Sequence, residues 1–206
     1  LPEPRERIAG PERAGVAIVG AGYTGLWTAY YLKQHAPDLD VLVLEQRHIG
    51  YGASGRNGGW LSNSITGGRD QHIAAHGRDG VEAFQRAFND AVDEVIRVTE
   101  AEGIDADIVK GGELTVALNA AQEQRLLRLA RAESEWESSN AELLTAAQTR
   151  ERIAVDGIRA GRWHPHAARI HPAKLVRVAE IFVFSQFVSR RRRFRAPGMD
   201  CLTTCA

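Results

Sequence analysis

The residues best spaced for chemistry are the glycines of Gly20-Ala21-Gly22-Tyr23-Thr24-Gly25, a complete GxGxxG run. In such a run Gly20 permits a tight turn and Gly22 lets the backbone approach a pyrophosphate. Gly25 lets the next helix pack closely on the strand before it. The run is entered from Val16-Ala17-Ile18-Val19, a continuous apolar stretch expected of a parallel strand covered on both faces. It leaves into a segment with Leu26, Ala29, Tyr30 and Leu32 at helical spacing, ending before Pro37. The start of that helix offers N–H groups and partial positive charge to a phosphate. A second apolar strand, Val41-Leu42-Val43-Leu44, closes on Glu45. An acidic residue about 20 positions beyond the last glycine is where ribose hydroxyls are accepted. Glu45 repels a 2′-phosphate, which disfavours an NADP-type ligand. With Tyr23, Thr24 and Gln46 beside them, these residues form a dinucleotide site, and they do not by themselves separate FAD from NAD.

Separation comes from the next segment. Gly50-Tyr51-Gly52-Ala53-Ser54-Gly55-Arg56-Asn57-Gly58-Gly59-Trp60 holds five glycines in eleven residues. Backbone N–H groups in such a loop are unobstructed and suit a phosphate or the polar edge of a ring. A plain flexible linker is the competing reading, and Ala53, Asn57 and Trp60 argue against it.

At this point the chain resembles a known family. VAIVGAGYTGLWTAYYL, then VLVLE, then GASGRNGGW, are similar to the D-amino-acid-oxidase-like FAD-dependent oxidoreductases. The most similar branch is that of γ-glutamylputrescine oxidoreductases and glycine/sarcosine-type amine oxidases. The resemblance runs from about Gly15 to Glu180. It includes Gly111-Gly112-Glu113-Leu114-Thr115-Val116-Ala117 and Ala168-Arg169-Ile170-His171-Pro172-Ala173-Lys174-Leu175. The first sixty residues are specific and the later matches looser.

The resemblance implies an α/β fold, with a Rossmann-like FAD-binding domain of the GR2 type, its sheet parallel. An α+β substrate domain begins within it and interleaves with it along the chain. Gly20, Gly22 and Gly25 would hold the FAD pyrophosphate and Glu45 the adenosine ribose. Ala53, Ser54, Gly55, Arg56, Asn57, Gly58 and Gly59 would lie along the dinucleotide toward the flavin, with Arg56 and Asn57 nearest it. Some relatives attach flavin covalently through His or Cys. Neither occurs between Gly50 and Trp60, so non-covalent FAD is expected, with His48 the nearest objection. The implied reaction is hydride transfer from an amine or amino-acid C–H to the flavin, with dioxygen as acceptor and hydrogen peroxide as product. The alternatives are a truncated, inactive dinucleotide-binding remnant and an NAD-binding dehydrogenase fragment. No catalytic acid or base is assigned.

Histidines add no second chemistry. His72 and His76 stand four apart, as two metal ligands on a helix would. No Cys and no acidic partner beyond Asp70 and Asp79 accompanies them, so no metal site is expected. His164, His166 and His171, separated by Pro165 and Pro172, are read as loop or helix-start residues.

The elements that must position these residues follow from periodicity. Val81, Phe84, Phe88, Val92, Val95 and Ile96 recur at helical spacing, predicting an amphipathic helix over about 80–102 that Gly103 ends. Leu114, Val116 and Leu118 alternate, predicting a strand over 113–118. Leu126, Leu127 and Leu129 fall in a helix over about 120–137. The expected domains are an extension to residue 15, a first FAD-binding part over 16–78 and the start of the substrate domain over 79–160. A return to the FAD-binding domain over 161–180 and an aberrant tail over 181–206 complete them.

Composition bounds the rest. The 206 residues are 44% hydrophobic and 25% charged, as in a globular protein able to bury a core. Lys plus Arg and Asp plus Glu both number 26, a balance that favours neither nucleic acid nor an anionic membrane. No apolar run reaches the roughly 18 residues of a membrane span, and the charged, Pro-bearing start is not a secretory signal. Two cysteines suit a reducing compartment, so a cytoplasmic location is expected. After Glu180 the usage changes abruptly. That tail holds both cysteines, the single Met, four of the six Phe and five Arg against one Asp. A shifted reading frame and C-terminal truncation are expected there, against a basic patch or a disordered terminus.

Overall fold

The computed structural model describes residues 10–176, so the expectations for the tail over 181–206 lie outside the described residues. Contacts divide the chain into two units. The first holds residues up to Gly58, Ala101–Ala106 and those from His171 on; the second holds Gly59–Glu100 and Asp107–Ile170.

In the first unit β1 (Val16–Val19) pairs in parallel with β2 (Val41–Leu44), in the register Val16 to Val41 through Val19 to Leu44. The connection is α1 (Tyr23–His35), as a parallel pair requires a crossover. Leu26 and Ala29 of α1 pack with Val41, Val43, Ile49 and Val176 into one apolar cluster. Burial of Lys33 in α1 is made tolerable by its ammonium donating to the carbonyls of Pro37 and Leu39. The other face of β1 is open. Val19 is 77% exposed, so the two-sided cover expected from its apolar run is not met among the described residues.

The second unit is antiparallel, apart from its helices. β3 (Trp60–Ser62) is followed by α2 (Asp70–Ala101), and α2 kinks at Gly77, whose φ is +67°. β4 (Val109–Lys110) and β5 (Glu113–Ala117) precede α3 (Ala120–Ser134). β6 (Glu142–Thr145), α4 (Ala146–Arg152), β7 (Ala160–His164) and β8 (Ala167–Arg169) complete it. One sheet has the order β3-β8-β4 and the other β5-β7-β6. Helix starts are capped by side chains: Asn119 accepts from the Gln122 N–H, and Thr145 with Gln148 forms a reciprocal capping box.

Contacts group 59–78 and 161–170 with the second unit, where β3 and β8 pair with each other. One sequence expectation changes here: the buried face of α2 is not its most apolar one. Phe84 is exposed, whereas Glu82, Gln85 and Asn89 are buried beside Val81 and Val92. Each polar group has its partners. The Glu82 carboxylate accepts the N–H groups of Glu137 and Ser138 at 2.9 and 3.1 Å. Gln85 donates to the Asn63 carbonyl, and Asn89 accepts from Asn63 while donating to the Ser138 carbonyl. Hydrogen bonding thus overrides periodicity.

Candidate dinucleotide site

The glycine turn is built from β1 outward. Gly20 has φ +100°, a conformation side chains resist, and its N–H donates to the Leu44 carbonyl at 2.6 Å. A Cβ on Gly25 would collide with the Gly20 carbonyl oxygen, so the helix sits where only glycine lets it sit. Gly22 is the N-cap of α1 and has no side chain to cap with. Ser54 supplies the missing group: its Oγ accepts the Tyr23 N–H at 3.0 Å from 31 residues away.

Glu45 ties the turn to the end of β2. One carboxylate oxygen accepts the Ala21 N–H and the other the Arg47 N–H, each at 2.9 Å. Gly50 donates to the Ala21 carbonyl at 3.1 Å, which draws the second glycine-rich loop against the first. That loop then makes a short 3-10 turn, Ala53–Gly55. The Asn57 amide donates to the carbonyls of Ala53 and Ser54 at 3.1 and 3.2 Å and so fixes its end. Arg56 donates from Nε to the Tyr51 carbonyl. The Tyr23 hydroxyl donates to the Pro172 carbonyl at 3.1 Å. Burial raises the Tyr23 phenol above its ordinary value, and a hydrogen bond with Asn57 opposes that rise.

Between these loops lies a groove of about 500 Å³. Of the residues expected from sequence, Gly22, Glu45, Gln46, Ala53 and Ser54 line it. Gly20 and Gly25 shape the turn from behind, and Tyr23 and Thr24 form the first turn of α1. Gly55, Arg56, Asn57 and Gly58 continue the loop beyond the lining, and Gly59 belongs to the second unit. Ala21, Arg47, Gly50, Tyr51 and Gly52 also line the groove. Ala21, Gly50, Tyr51 and Gly52 sit inside the recognised motifs and could have been read there. For Arg47 no motif gave a signal.

The donor set fits a dinucleotide. A Cβ on Gly22 would come within 2.9 Å of Ser54 Oγ, so this stretch of wall is bare backbone. The carboxylate of Glu45 keeps lone pairs for vicinal hydroxyls beyond the two N–H groups it accepts. Metal chemistry has no comparable set: no group of three or more His, Cys, Asp or Glu among the described residues could hold an ion.

The profile of the FAD dependent oxidoreductases matches residues 15–180. The chain belongs to this family. It is 34% identical over 163 residues to gamma-glutamylputrescine oxidoreductase of Escherichia coli (strain K12), covering 78% of this chain and 37% of that protein. Two solved structures share the fold of this FAD dependent oxidoreductase chain at 18% identity. Glycine oxidase from Bacillus cereus has a TM-score of 0.66, with 89% of this chain and 46% of that one covered. L-amino acid deaminase from Proteus vulgaris has a TM-score of 0.68, covering 96% and 44%. The chain therefore spans less than two fifths of the length of its curated relative from Escherichia coli. The expected α/β class, with a Rossmann-like unit and an interleaved α+β region, is the fold found. No helix among the described residues is long and apolar enough to cross a membrane.

Proposed function

We propose that the groove of the first unit holds FAD non-covalently and that the protein oxidises the C–N bond of an amine or amino acid. The observation that carries this reading is the joining of the two glycine-rich loops across one groove by Glu45, Ser54 and Gly50. The first unit is then the FAD-binding domain and the second the start of the substrate domain.

In this reading Gly22 and the start of α1 bind the diphosphate, since main-chain N–H groups and the helix dipole favour anionic oxygens. Glu45 and Gln46 bind the adenosine ribose. Ala53, Ser54 and Gly55 run along the dinucleotide, with Arg56, Asn57, Gly58 and Gly59 toward the flavin end. The chemistry such a cofactor supplies is acceptance of a hydride from a carbon bearing an amine, with dioxygen as final acceptor and hydrogen peroxide as product. The relative named for γ-glutamylputrescine directs the substrate reading to amines that carry an anionic amino-acid end. His48 is held with Nδ1 3.1 Å from the Ile49 carbonyl and its ring against Tyr51, and it does not line the groove. That supports attachment without a covalent bond.

The test is an absorption spectrum of the chain after incubation with FAD and desalting, followed by amine-dependent peroxide measurement. A retained flavin spectrum released by denaturant, with peroxide, is the expected result. Flavin without peroxide supports the second reading, a dinucleotide-binding unit that does not turn over. Loss of all flavin from a folded sample overturns the assignment and favours NAD.

A further inference from the structure

The amides around the glycine turn are more heavily engaged than a phosphate cradle would suggest. Gly20 donates to Leu44, Ala21 to Glu45 and Tyr23 to Ser54. Each of these three is a donor directed within the protein, which leaves fewer main-chain donors for an anion and gives weight to any positive side chain beside the groove. Arg47 lines the same groove and its side chain is exposed. Its main chain is anchored by the N–H to Glu45, and its guanidinium carbon stands 5.6 Å from the centre of the Tyr51 ring. The guanidinium carbon of Arg56 stands 4.7 Å from the same ring, and Arg56 holds the Tyr51 carbonyl through Nε. Two cations therefore share one aromatic platform at the groove wall. Among the described residues no carboxylate is within ion-pair distance of either, whereas Arg86, Arg97, Arg159 and Arg162 all have acidic partners. Uncompensated positive charge concentrated at a concave surface attracts an anion. A guanidinium held near a ring face also presents a fork of donors that suits phosphate.

We infer that Arg47 is a side-chain contact for the diphosphate of the bound nucleotide, and that Tyr51, braced by Arg56, is the platform that holds its guanidinium. The inference rests on the proposed function, since it names a further residue of the same nucleotide groove. Arg56 thereby has a bracing part at this wall in addition to its place on the loop.

The test is calorimetric titration of the full chain with ADP, adenosine and FAD at low and high salt. Arg47→Ala is expected to weaken ADP about tenfold, the weight of a hydrogen bond to a charged group, while adenosine changes by less than about twofold. Salt should weaken ADP binding less in this variant than in the parent. Arg47→Lys should recover part of the loss, and Tyr51→Leu should fall between parent and Arg47→Ala. Arg125→Ala removes an equal charge from the exposed surface of α3 and should leave ADP unchanged. Equal losses for ADP and adenosine, or no loss for ADP, overturn the inference while FAD binding by the parent keeps the proposed function. A parent chain that binds neither FAD nor ADP overturns both. Arg47 is exposed and its N–H bond to Glu45 survives truncation, so an unchanged melting curve is expected and shows that the binding losses are local.

Discussion

The two units spend their polar groups differently. Around the groove of the first, side chains serve the main chain, since Glu45 and Ser54 accept backbone N–H groups and Asn57 donates to backbone carbonyls, while its side-chain pairs, Tyr30 with Glu102 and Lys174 with Asp105, lie elsewhere. This fixes two glycine-rich loops while leaving bare backbone on the groove wall. In the second, side chains also pair with one another inside the unit. Arg162 of β7 and Glu133 of α3 form a two-pronged ion pair, with side chains only 10% and 12% exposed. Asn63 and Asn89 meet at 2.7 Å. Held backbone gives a groove wall of fixed shape. A scaffold can fix its geometry with buried, mutually satisfied charges.

The sharpest way to break that comparison is Glu133→Gln. Leaving Arg162 buried beside a neutral partner should cost about 3–5 kcal/mol of stability. Adding Arg162→Met should recover much of that loss, read by chemical denaturation. Flavin retention should persist wherever the single variant is still folded; its loss there would show that the units do not divide the work as described. Gly25→Ala probes the other side. The added methyl meets a main-chain oxygen that no rotamer change can move aside, so about 3 kcal/mol and flavin retention should both be lost. A Gly25→Ala variant that keeps FAD after desalting would remove the close approach from the binding argument.

Acid should separate the units more gently. Burial lowers the His164 imidazole below its ordinary value, against the pull of Glu113. Burial likewise lowers His166, against Asp93. A depressed histidine leaves the unfolded chain binding the proton first, so stability falls as pH drops through about 6.5 toward the folded-state values. Burial alone would raise the Glu82 carboxyl, but its hydrogen bonds and Arg86 outweigh that and hold it low. Its contribution is present above the ordinary carboxylate value and is lost as pH falls through the depressed one. Both signs agree: amide protection at Ala117 and Leu144, corrected for the intrinsic exchange rate at each pH, should fall in acid before that at Val41 and Val43. A simultaneous fall would merge the two units thermodynamically.

Much of the first unit was legible because its constraints are local. β1 occupies Val16–Val19 and β2 Val41–Leu44, the stretches their apolar runs marked. Strands and helices of the middle were legible in kind: the helix expected over about 80–102 is the part of α2 after the break at Gly77, whereas its first turns from Asp70, with no apolar stripe, were not marked. The buried face of α2 was not legible, because Glu82, Gln85 and Asn89 become acceptable inside only once Asn63 and the 137–138 backbone are brought to them. Arg47 was missed for a related reason. Its place on the groove depends on how the 46–52 loop closes on Ala21, and no spacing rule encodes that closure.

Val176 ends the described chain, yet it is 1% exposed in the apolar cluster of the first unit. A Cβ on Gly50 would collide with one of its methyl groups. The N-terminal unit is therefore closed by a residue far from its own strands in sequence, whereas the second unit has all its sheet partners by Arg169. Val176→Ser, which puts a hydroxyl into that apolar cluster, should open 10–58 to protease before 59–100 and 107–170.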